Sequence, residues 1–412
     1  MIIDTVVTHP DWAAAWGNWG RVGVRRIADA CAAGGIRRIY WRANCGSRVF
    51  YPSRLEDTFR GEDREACEVP EYWKVTLAET DYSTWNLLEE AVECTLGAGL
   101  EPWVWYSPYE ESHGQVSLTR FAREHPEFHA VARDGHRRSS RLSFAYPEVR
   151  RHKLAVVEEL MSYGFRGVLL DFVRQLPRID ENLPPQLDLH GVCRYGYEEP
   201  ALESYRRTHE VDPREQPNHS DAWIRHRAEY VTCFMEELKR QRRTTGSNYP
   251  VSVLVSPESP LSQVLPDWPR YVRDGLLEET NLWRVRTDAL RGALVDWTSW
   301  LAGDLCQEAH IMLPEWNLAR LDPDDVKRQI RQARHSTGGG GGILAGIYCY
   351  NMDQLGLGEG SARLEAGVRA AREAGARAVV LWESTSIESW SGWDKYLPSG
   401  LWATVAKLAA EA

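Results

Sequence analysis

Acidic, amide and indole side chains stand directly after several short apolar segments of this chain, where they could do chemistry. The clearest case is Asp171, which follows the segment GVLL at 167–170 and precedes Phe172. A carboxylate at the end of a buried segment is costly unless it has a reaction to perform or a partner. We therefore predict that Asp171 is catalytic. The alternative is an ion pair with Arg42 or Arg174 that only shapes the protein.

Cleavage of a glycosidic bond would use carboxylates of this kind. The reaction needs two carboxyl groups, one that protonates the leaving oxygen and one that acts as nucleophile or activates water. Asp171 is predicted to be the nucleophile or base, and Glu258, Asp296 and Glu383 compete for the second role. One of the two carboxyl groups should have a raised pKa, which burial beside indoles would promote.

The other side chains at these positions suit a sugar substrate. Aromatic rings stack on the C–H faces of sugars, and a few well-placed polar groups fix the orientation of the ligand. The composition agrees, because the chain contains 18 Trp and 17 Tyr but only 8 Phe. The predicted substrate-binding residues are Trp41, Arg42, Asn44, Trp105, Tyr106, His113, Arg174, Trp297, Trp382 and Glu383.

These residues would meet if the apolar segments before them are strands of one barrel. Strand-like and helix-like segments alternate along the chain, which predicts an α/β fold of parallel βα units, a (β/α)8 TIM barrel. Its active site lies at the C-terminal ends of the strands. The rival is a doubly wound sheet, but no G-x-G-x-x-G follows the first strand. The strand candidates are 2–7, 37–44, 101–108, 164–174, 251–257, 292–298, 309–314, 343–351 and 376–384.

The nine candidates exceed the eight strands of such a barrel, so either 292–298 or 309–314 is a bent extension, or one of the nine strands lies outside the barrel. A single catalytic barrel domain is predicted over residues 1–412, with an excursion at about 121–147 and a long loop at about 175–219. The excursion contains Asp134-Gly135 between alternating segments, which predicts an inserted β-hairpin on the C-terminal face. A helix over 81–98 is predicted to begin with Asp81 or Ser83 as its N-cap.

Charge and missing motifs exclude other classes of function. The net charge of −10 disfavours nucleic acid as the main partner, and no apolar run approaches the roughly 20 residues that span a bilayer. The first residues do not resemble a signal peptide, and the eight cysteines are scattered, which favours a reduced, cytoplasmic protein. No H-E-x-x-H or G-x-S-x-G motif occurs. We predict no metal site and no cofactor, and the pattern does not indicate an oligomeric state.

The sequence resembles bacterial glycoside-hydrolase-like barrels that are distantly related to the α-amylase and α-galactosidase superfamilies. The segments that carry the resemblance are WGNWG at 16–20, RIYWRANCGS at 38–47, WVWYSPYEESHG at 103–114, FAREHPEF at 121–128 and GFRGVLLDFVR at 164–174. The similarity is good over about 10–175 and vaguer over 250–390. It implies a (β/α)8 barrel and the hydrolysis of carbohydrates.

The resemblance also implies roles for three acids. Asp171 matches the nucleophile at the end of the fourth strand. Glu258 falls where α-amylase-like enzymes hold the general acid, and Asp296 falls where α-galactosidase-like enzymes hold it. The α-amylase pattern has an Arg two residues before the nucleophile, but Leu169 stands there, which argues against an amylase.

Two other functions remain open at this point. A carbohydrate-binding barrel without catalysis would keep its affinity for glycans when Asp171 is replaced. A metal-dependent sugar isomerase or lyase would use His9, His113 and nearby acids, and a chelator would abolish its activity.

Overall fold

Eight parallel strands form a closed barrel in the computed structural model of this chain, which confirms the predicted (β/α)8 architecture. Strands that are neighbours in the barrel are also successive barrel strands along the chain, and the last strand pairs with the first to close it. The strands are β1 (Ile2–Val7), β2 (Arg38–Arg42), β3 (Glu101–Tyr106), β4 (Val168–Asp171), β5 (Val251–Val255), β6 (Glu308–Met312), β7 (Gly342–Tyr348) and β8 (Ala378–Trp382).

The structure describes most of the chain, with gaps between the described segments. The described residues are 1–9, 11–12, 20–66, 77–78, 80–113, 117–172, 188, 192–255, 294–313, 318–339, 342–351, 355–388 and 400–411. Within these ranges the side chains of residues 65–66, 113 and 385–386 are not described.

Eleven α-helices occur in the described residues, and they pack around the barrel. The helices are α1 (Arg21–Ala33), α2 (Leu87–Gly97), α3 (Arg120–Glu124), α4 (Pro147–Met161), α5 (Glu199–His209), α6 (Asp221–Thr244), α7 (Trp297–Ala302), α8 (Pro323–Ser336), α9 (Leu357–Glu373), α10 (Ser384–Glu388) and α11 (Trp402–Ala410). Within the described part of the chain, no helix is both long enough and apolar enough to cross a membrane.

Side chains of each strand point alternately into the barrel and out toward the helices. Inward side chains, among them Tyr40, Trp105 and Trp382, form one buried cluster. Outward side chains, among them Trp41 and Tyr106, join a larger cluster that includes the apolar faces of the helices. Because both faces of these strands are buried, both sets are rich in apolar residues.

Residues 294–298 do not belong to a strand of the barrel. These residues lead into α7, and the Asp296 side chain accepts a hydrogen bond from the Ser299 backbone N–H at 3.5 Å. Aspartate at an N-cap satisfies a backbone donor that the helix itself leaves unpaired. The other doubtful segment, 309–314, contributes residues to β6. The prediction of a strand over 292–298 is wrong for residues 294–298, and residues 292–293 lie outside the described residues.

Helix α2 begins later than its pattern predicts. Asn86 is its N-cap and accepts a hydrogen bond from the Leu88 N–H at 3.2 Å. Asp81 instead accepts hydrogen bonds from the Ser83 N–H at 2.9 Å and from the Ser83 hydroxyl at 2.6 Å. This local turn uses the two side chains that were predicted to cap the helix.

The predicted β-hairpin is present in the excursion at 121–147. His129–Val131 pairs antiparallel with Arg137–Leu142, with Ala130 opposite Arg138. Gly135 lies in the connecting turn with a φ of 89°, a left-handed conformation that glycine adopts without steric cost. The predicted long loop at about 175–219 contains helix α5, and its residues 175–187 and 189–191 lie outside the described residues.

A buried polar network occupies the N-terminal end of the barrel interior. Arg38 donates hydrogen bonds to the Glu308 carboxylate at 2.7 Å and to the Tyr40 hydroxyl at 2.8 Å. Asp4 lies farther away, with 3.8 Å between its Oδ2 and the Arg38 Nε. Burial raises the pKa of Asp4 to about 7, although Arg38 opposes the shift. His310 completes the network, with its Nε2 3.2 Å from the Tyr40 hydroxyl.

Candidate active site

Asp171 lies at the C-terminal end of the barrel interior and is fully buried. Asp171 is the last residue of β4. This strand pairs with β3, and Leu170 lies opposite Tyr106. The Asp171 Oδ2 accepts hydrogen bonds from the Trp105 indole N–H at 3.0 Å and from the Ser107 hydroxyl at 3.3 Å. Two donors, one within β3 and one directly after its end, therefore orient this carboxylate.

Arg42 lies beside Asp171 and holds a second carboxylate. Its Nη2 lies 2.7 Å and 2.9 Å from the two carboxylate oxygens of Glu110, and its guanidinium lies 4.8 Å from the centre of a Trp105 ring. Burial disfavours the charged form of Arg42, but Cys45, Glu110 and Asp171 outweigh burial, so the pKa of Arg42 lies above its ordinary value. Arg42, at the end of β2, therefore attracts the carboxylates of both Glu110 and Asp171.

Asn44 fixes the ends of β2 and β3 relative to each other. Its side-chain amide donates to the Ser107 carbonyl at 3.1 Å, and its Oδ1 accepts from the Ser107 N–H at 2.9 Å. The Arg42 Nε donates to the Asn44 carbonyl at 2.7 Å. These bonds position the Ser107 hydroxyl that reaches Asp171.

An aromatic wall crosses the barrel interior from Asp171 toward β7 and β8. The rings of Trp105 and Trp382 are 4.9 Å apart and nearly perpendicular, at 77°. Tyr348 lies 5.9 Å from Trp382 and stacks with Tyr350 at 5.5 Å. We call these four residues the aromatic wall. Such edge-to-face and offset contacts are the favourable arrangements for aromatic pairs.

A pair of carboxyl groups lies at the ends of β1 and β8. Asp11 is fully buried, and its Oδ2 accepts hydrogen bonds from the Thr8 N–H at 3.0 Å and the Ser384 hydroxyl at 2.8 Å. Burial and the nearby charge of Glu383 raise the pKa of Asp11 well above its ordinary value. Two adjacent carboxyl groups resist joint ionisation, so the Asp11–Glu383 pair tends to retain a proton.

Asp11 was missed by the sequence analysis, although a signal for it existed. It stands four residues after Val7, the end of β1, where the strand-end pattern applies to it as it does to Asp171. Because His9 and Pro10 stand between the apolar residues of β1 and Asp11, the sequence pattern is weaker at Asp11 than at Asp171.

Several predicted site residues meet at the C-terminal end of the barrel. Asp171, Arg42, Asn44 and Trp105 form one connected group through the contacts above. Trp382 extends the group through its ring contact with Trp105. Glu383 follows Trp382 directly and is 6% exposed.

Three other predicted residues do not face the barrel interior. Trp41 points outward, and its indole N–H donates to the Thr95 hydroxyl of α2 at 2.9 Å. Tyr106 and Trp297 are also buried in the outer cluster between strands and helices. The alternation of side chains along a strand explains Trp41 and Tyr106, since each stands one position from an inward residue. The expectation that these three residues line the site is corrected accordingly.

Four predicted residues remain, namely Asp296, Glu258, Arg174 and His113. Asp296 caps α7, as described above. Glu258 and Arg174 lie outside the described residues. His113 belongs to the short strand Ser112–His113, and its side chain is not described.

His9, which was a candidate metal ligand, lies among aromatic rings. Its ring centre is 4.3 Å from that of Phe50 and 4.6 Å from that of Phe59, with Trp12 and Tyr82 slightly farther away. Among the described side chains, no group of three His, Cys, Asp or Glu residues is arranged to hold a metal ion.

Solved structures of glycoside hydrolases share this barrel at low sequence identity. The catalytic domain of β-amylase from Paenibacillus polymyxa aligns with 100% of this chain and 98% of its own, with a TM-score of 0.57 and 10% identity. The β-galactosidase from the psychrophilic Marinomonas ef1 aligns with 100% of this chain and 59% of its own, with a TM-score of 0.52 and 12% identity. The chain matches no protein-family profile and no curated protein sequence. The chain therefore has a glycoside-hydrolase-like fold.

Proposed function

We propose that this protein is a glycoside hydrolase and that Asp171 is its nucleophile or base. The observation that carries the proposal is the buried Asp171 carboxylate, which accepts hydrogen bonds from Trp105 and Ser107 beside the Arg42 guanidinium. The two donors fix the direction of the carboxylate, and the guanidinium attracts negative charge at this place. A carboxylate oriented in this way can attack a sugar carbon or take a proton from water.

The aromatic wall and the adjacent polar groups support a sugar as the substrate. Indole and phenol rings stack on sugars, while Arg42, Asn44 and Glu383 are of the types that hydrogen-bond hydroxyl groups. The glycan is the only partner that we propose. A cytoplasmic location stays a prediction from the scattered cysteines, seven of which are free thiols in the described residues.

We assign the general acid to either Glu258 or Glu383. Asp296, the third candidate from the sequence, accepts hydrogen bonds from the Ser299 N–H and the Thr298 hydroxyl, which favours a capping role. Glu383 follows Trp382 of the aromatic wall, is 6% exposed and lies near Asp11. Its place beside the aromatic wall, at the same end of the barrel as Asp171, is the reason to keep it as a candidate acid.

Replacement of Asp171 by Asn tests the proposal. The amide keeps the size of the side chain but removes the charge, so we expect kcat/KM on a panel of aryl glycosides and oligosaccharides to fall by roughly a thousandfold or more. Circular dichroism and thermal unfolding must first establish that the variant is folded. Activity within a few-fold of the wild type would overturn the assignment of Asp171. Glycan binding without turnover in the wild type would favour the non-catalytic barrel.

Two further variants identify the acid. Loss of a general acid slows substrates with poor leaving groups far more than activated aryl glycosides, because only the poor leaving groups need the proton. We expect this selective loss in either Glu258→Gln or Glu383→Gln. Equal losses on both kinds of substrate would contradict an acid role for the residue tested.

A further inference from the structure

A cavity lies outside the barrel interior, beside the hairpin of residues 129–142 and helices α5 and α6. It encloses about 30 Å³, whereas one water needs roughly 10–15 Å³ on the same measure. The cavity therefore has room for about two water-sized groups, the size of the two oxygens of a carboxylate. Its polar lining includes Tyr109, Arg141, Ser143, Tyr195, Glu198 and Arg227.

Buried positive charge exceeds buried negative charge around this cavity. Arg141 and Arg227 line it and are only 7% and 2% exposed. Arg138 lies next to it, donates to the Tyr195 hydroxyl at 3.4 Å and is 2% exposed. Glu198 is the one acidic side chain among the described lining residues. Burial raises the pKa of Glu198, so its negative charge balances the positive charge of the arginines less well.

Arg227 shows the imbalance most directly. Its Nη1 donates to the Cys193 and Tyr195 carbonyls at 2.6 Å and 2.8 Å, and its Nη2 donates to the Asn218 carbonyl at 3.1 Å. Within the described part of the chain, no carboxylate forms an ion pair with it, and burial lowers its pKa. Its Nε donates to the Trp223 carbonyl at 3.3 Å, and its guanidinium lies 5.2 Å from the Trp223 ring. A buried guanidinium whose described partners are carbonyls and aromatic rings is stabilised when an anion enters beside it.

Tyr109 connects the cavity to residues next to the candidate active site. The Arg141 guanidinium lies 4.7 Å from the Tyr109 ring, and the Tyr109 ring lies 5.4 Å from that of Phe172. Phe172 directly follows Asp171, and Glu110, which follows Tyr109, pairs with Arg42. Tyr109 and Phe172 are part of the outer cluster, so the cavity lies outside the barrel interior and contacts the site through these neighbouring residues.

We propose that this cavity binds a carboxylate group, held by the Arg141 and Arg227 guanidinium groups. Guanidinium N–H groups donate strong, charge-assisted hydrogen bonds to carboxylate oxygens, and the cavity has the size for two such oxygens. The carboxylate has two possible sources, a free small acid or an acidic sugar of the substrate. Only the second source rests on the proposed glycosidase function.

Binding of small carboxylates to the full-length protein tests this inference without any measurement of turnover. The probes are sodium acetate and sodium D-glucuronate, titrated by calorimetry and by thermal unfolding, with sodium chloride at equal ionic strength and D-glucose as controls. We expect saturable binding and a rise in Tm with at least one of the two carboxylates and not with chloride. No saturable binding of either carboxylate would overturn the inference and leave the cavity to water.

Matched variants locate the bound group. Arg141→Met should raise the Kd for the carboxylate by about tenfold or more, because it removes a charged hydrogen-bond donor. Arg242→Met is the control, since Arg242 is a buried arginine 5.0 Å from the Tyr249 ring and does not line the cavity. Unchanged affinity in Arg141→Met, or equal loss in both variants, would overturn the location. If Arg141→Met does not fold, Tyr109→Phe, which removes one hydroxyl, should weaken binding instead.

The two probes distinguish the sources of the carboxylate. Acetate that binds as tightly as D-glucuronate supports a free small acid. D-Glucuronate that binds at least about tenfold more tightly than acetate, in a manner lost in Arg141→Met, supports an acidic sugar. Loss of glycosidase activity in Asp171→Asn with retained carboxylate binding is expected, so the two proposals fail separately.

Discussion

Asp4 is a residue whose ionisation depends on where the barrel buries it. In the described structure neither of its carboxylate oxygens has a hydrogen-bond partner, and the Arg38 Nε is 3.8 Å away. The cost of burying the charge outweighs this distant attraction, so the pKa of Asp4 rises to about 7. This carboxyl group therefore titrates near neutral pH inside the barrel.

The pH dependence of stability tests this assignment at Asp4. Below about pH 4 the group is protonated in both states and contributes nothing. Between pH 4 and 7 the unfolded chain loses the proton and the folded chain keeps it, so the free energy of unfolding falls as pH rises. The full loss is on the order of 4 kcal/mol. Asp4→Asn should remove it, so the variant gains stability relative to the wild type between pH 5 and 8 in urea denaturation.

Asp29→Asn is the control for that experiment, because Asp29 lies exposed on α1. This variant removes one carboxylate outside the barrel interior, and its unfolding is measured over the same pH range. A difference between Asp4→Asn and the wild type that stays constant with pH would show that Asp4 is ionised throughout.

Two tryptophans test which side of the strands carries the chemistry. Trp105→Phe keeps an inward ring but removes the N–H that Asp171 accepts at 3.0 Å, so we expect kcat/KM to fall by about tenfold or more. Trp41→Phe removes an outward N–H bonded to Thr95 at 2.9 Å. It should lower the free energy of unfolding by about 1 kcal/mol or more and leave turnover of the folded protein unchanged. Equal loss of turnover in both variants would contradict the assignment of the site to the barrel interior.

At the scale of elements, the short helix α7 decides the role of Asp296. A carboxylate that caps a helix has a structural use that explains its position without catalysis. Asp322 gives a direct comparison, since it caps α8 by accepting the Asp324 N–H at 2.9 Å.

Asp296→Ala and Asp322→Ala should therefore behave alike. Each is expected to lower the free energy of unfolding by about 1 kcal/mol, with glycosidase activity retained, as urea denaturation and an activity assay would report. Abolished turnover in Asp296→Ala alone would restore the general-acid role that the resemblance to α-galactosidase-like barrels implies.

At the scale of the whole molecule, closure of the barrel brings the two ends of the chain together. β1 pairs with β8, with Ile2 opposite Ala378. Helix α11 also packs where α1 ends, because a Cβ atom on Gly34 would lie 2.6 Å from the Trp402 ring. The first and last elements thus stabilise each other.

Gly34→Ala should therefore weaken the closed molecule. Forcing a methyl group against the Trp402 ring is expected to cost about 1–3 kcal/mol of unfolding free energy, measured as a lower Tm. Gly97→Ala is the control, since an added Cβ meets nothing within 4 Å there, and it should be neutral or stabilising by up to about 1 kcal/mol. A Tm for Gly34→Ala equal to that of the wild type would contradict this packing.

Local patterns in the sequence were enough to predict the barrel and to single out Asp171. Alternating strands and helices reflect burial that each segment carries by itself, and an acid directly after GVLL is visible without any tertiary information. The same strand-end pattern predicted Arg42, Asn44, Trp105 and Trp382 as site residues, because each stands at or beside the end of its strand.

The tertiary structure alone decided the direction and the partners of these side chains. Both faces of the barrel strands are buried, so the sequence does not distinguish inward Trp105 from outward Trp41, and one position along a strand reverses a side chain. Asp11 and Ser384 are 373 positions apart, and closure of the barrel makes them neighbours beside Glu383. A residue's apolar context is local, whereas its charge environment is set by contacts between distant segments, which no local pattern encodes.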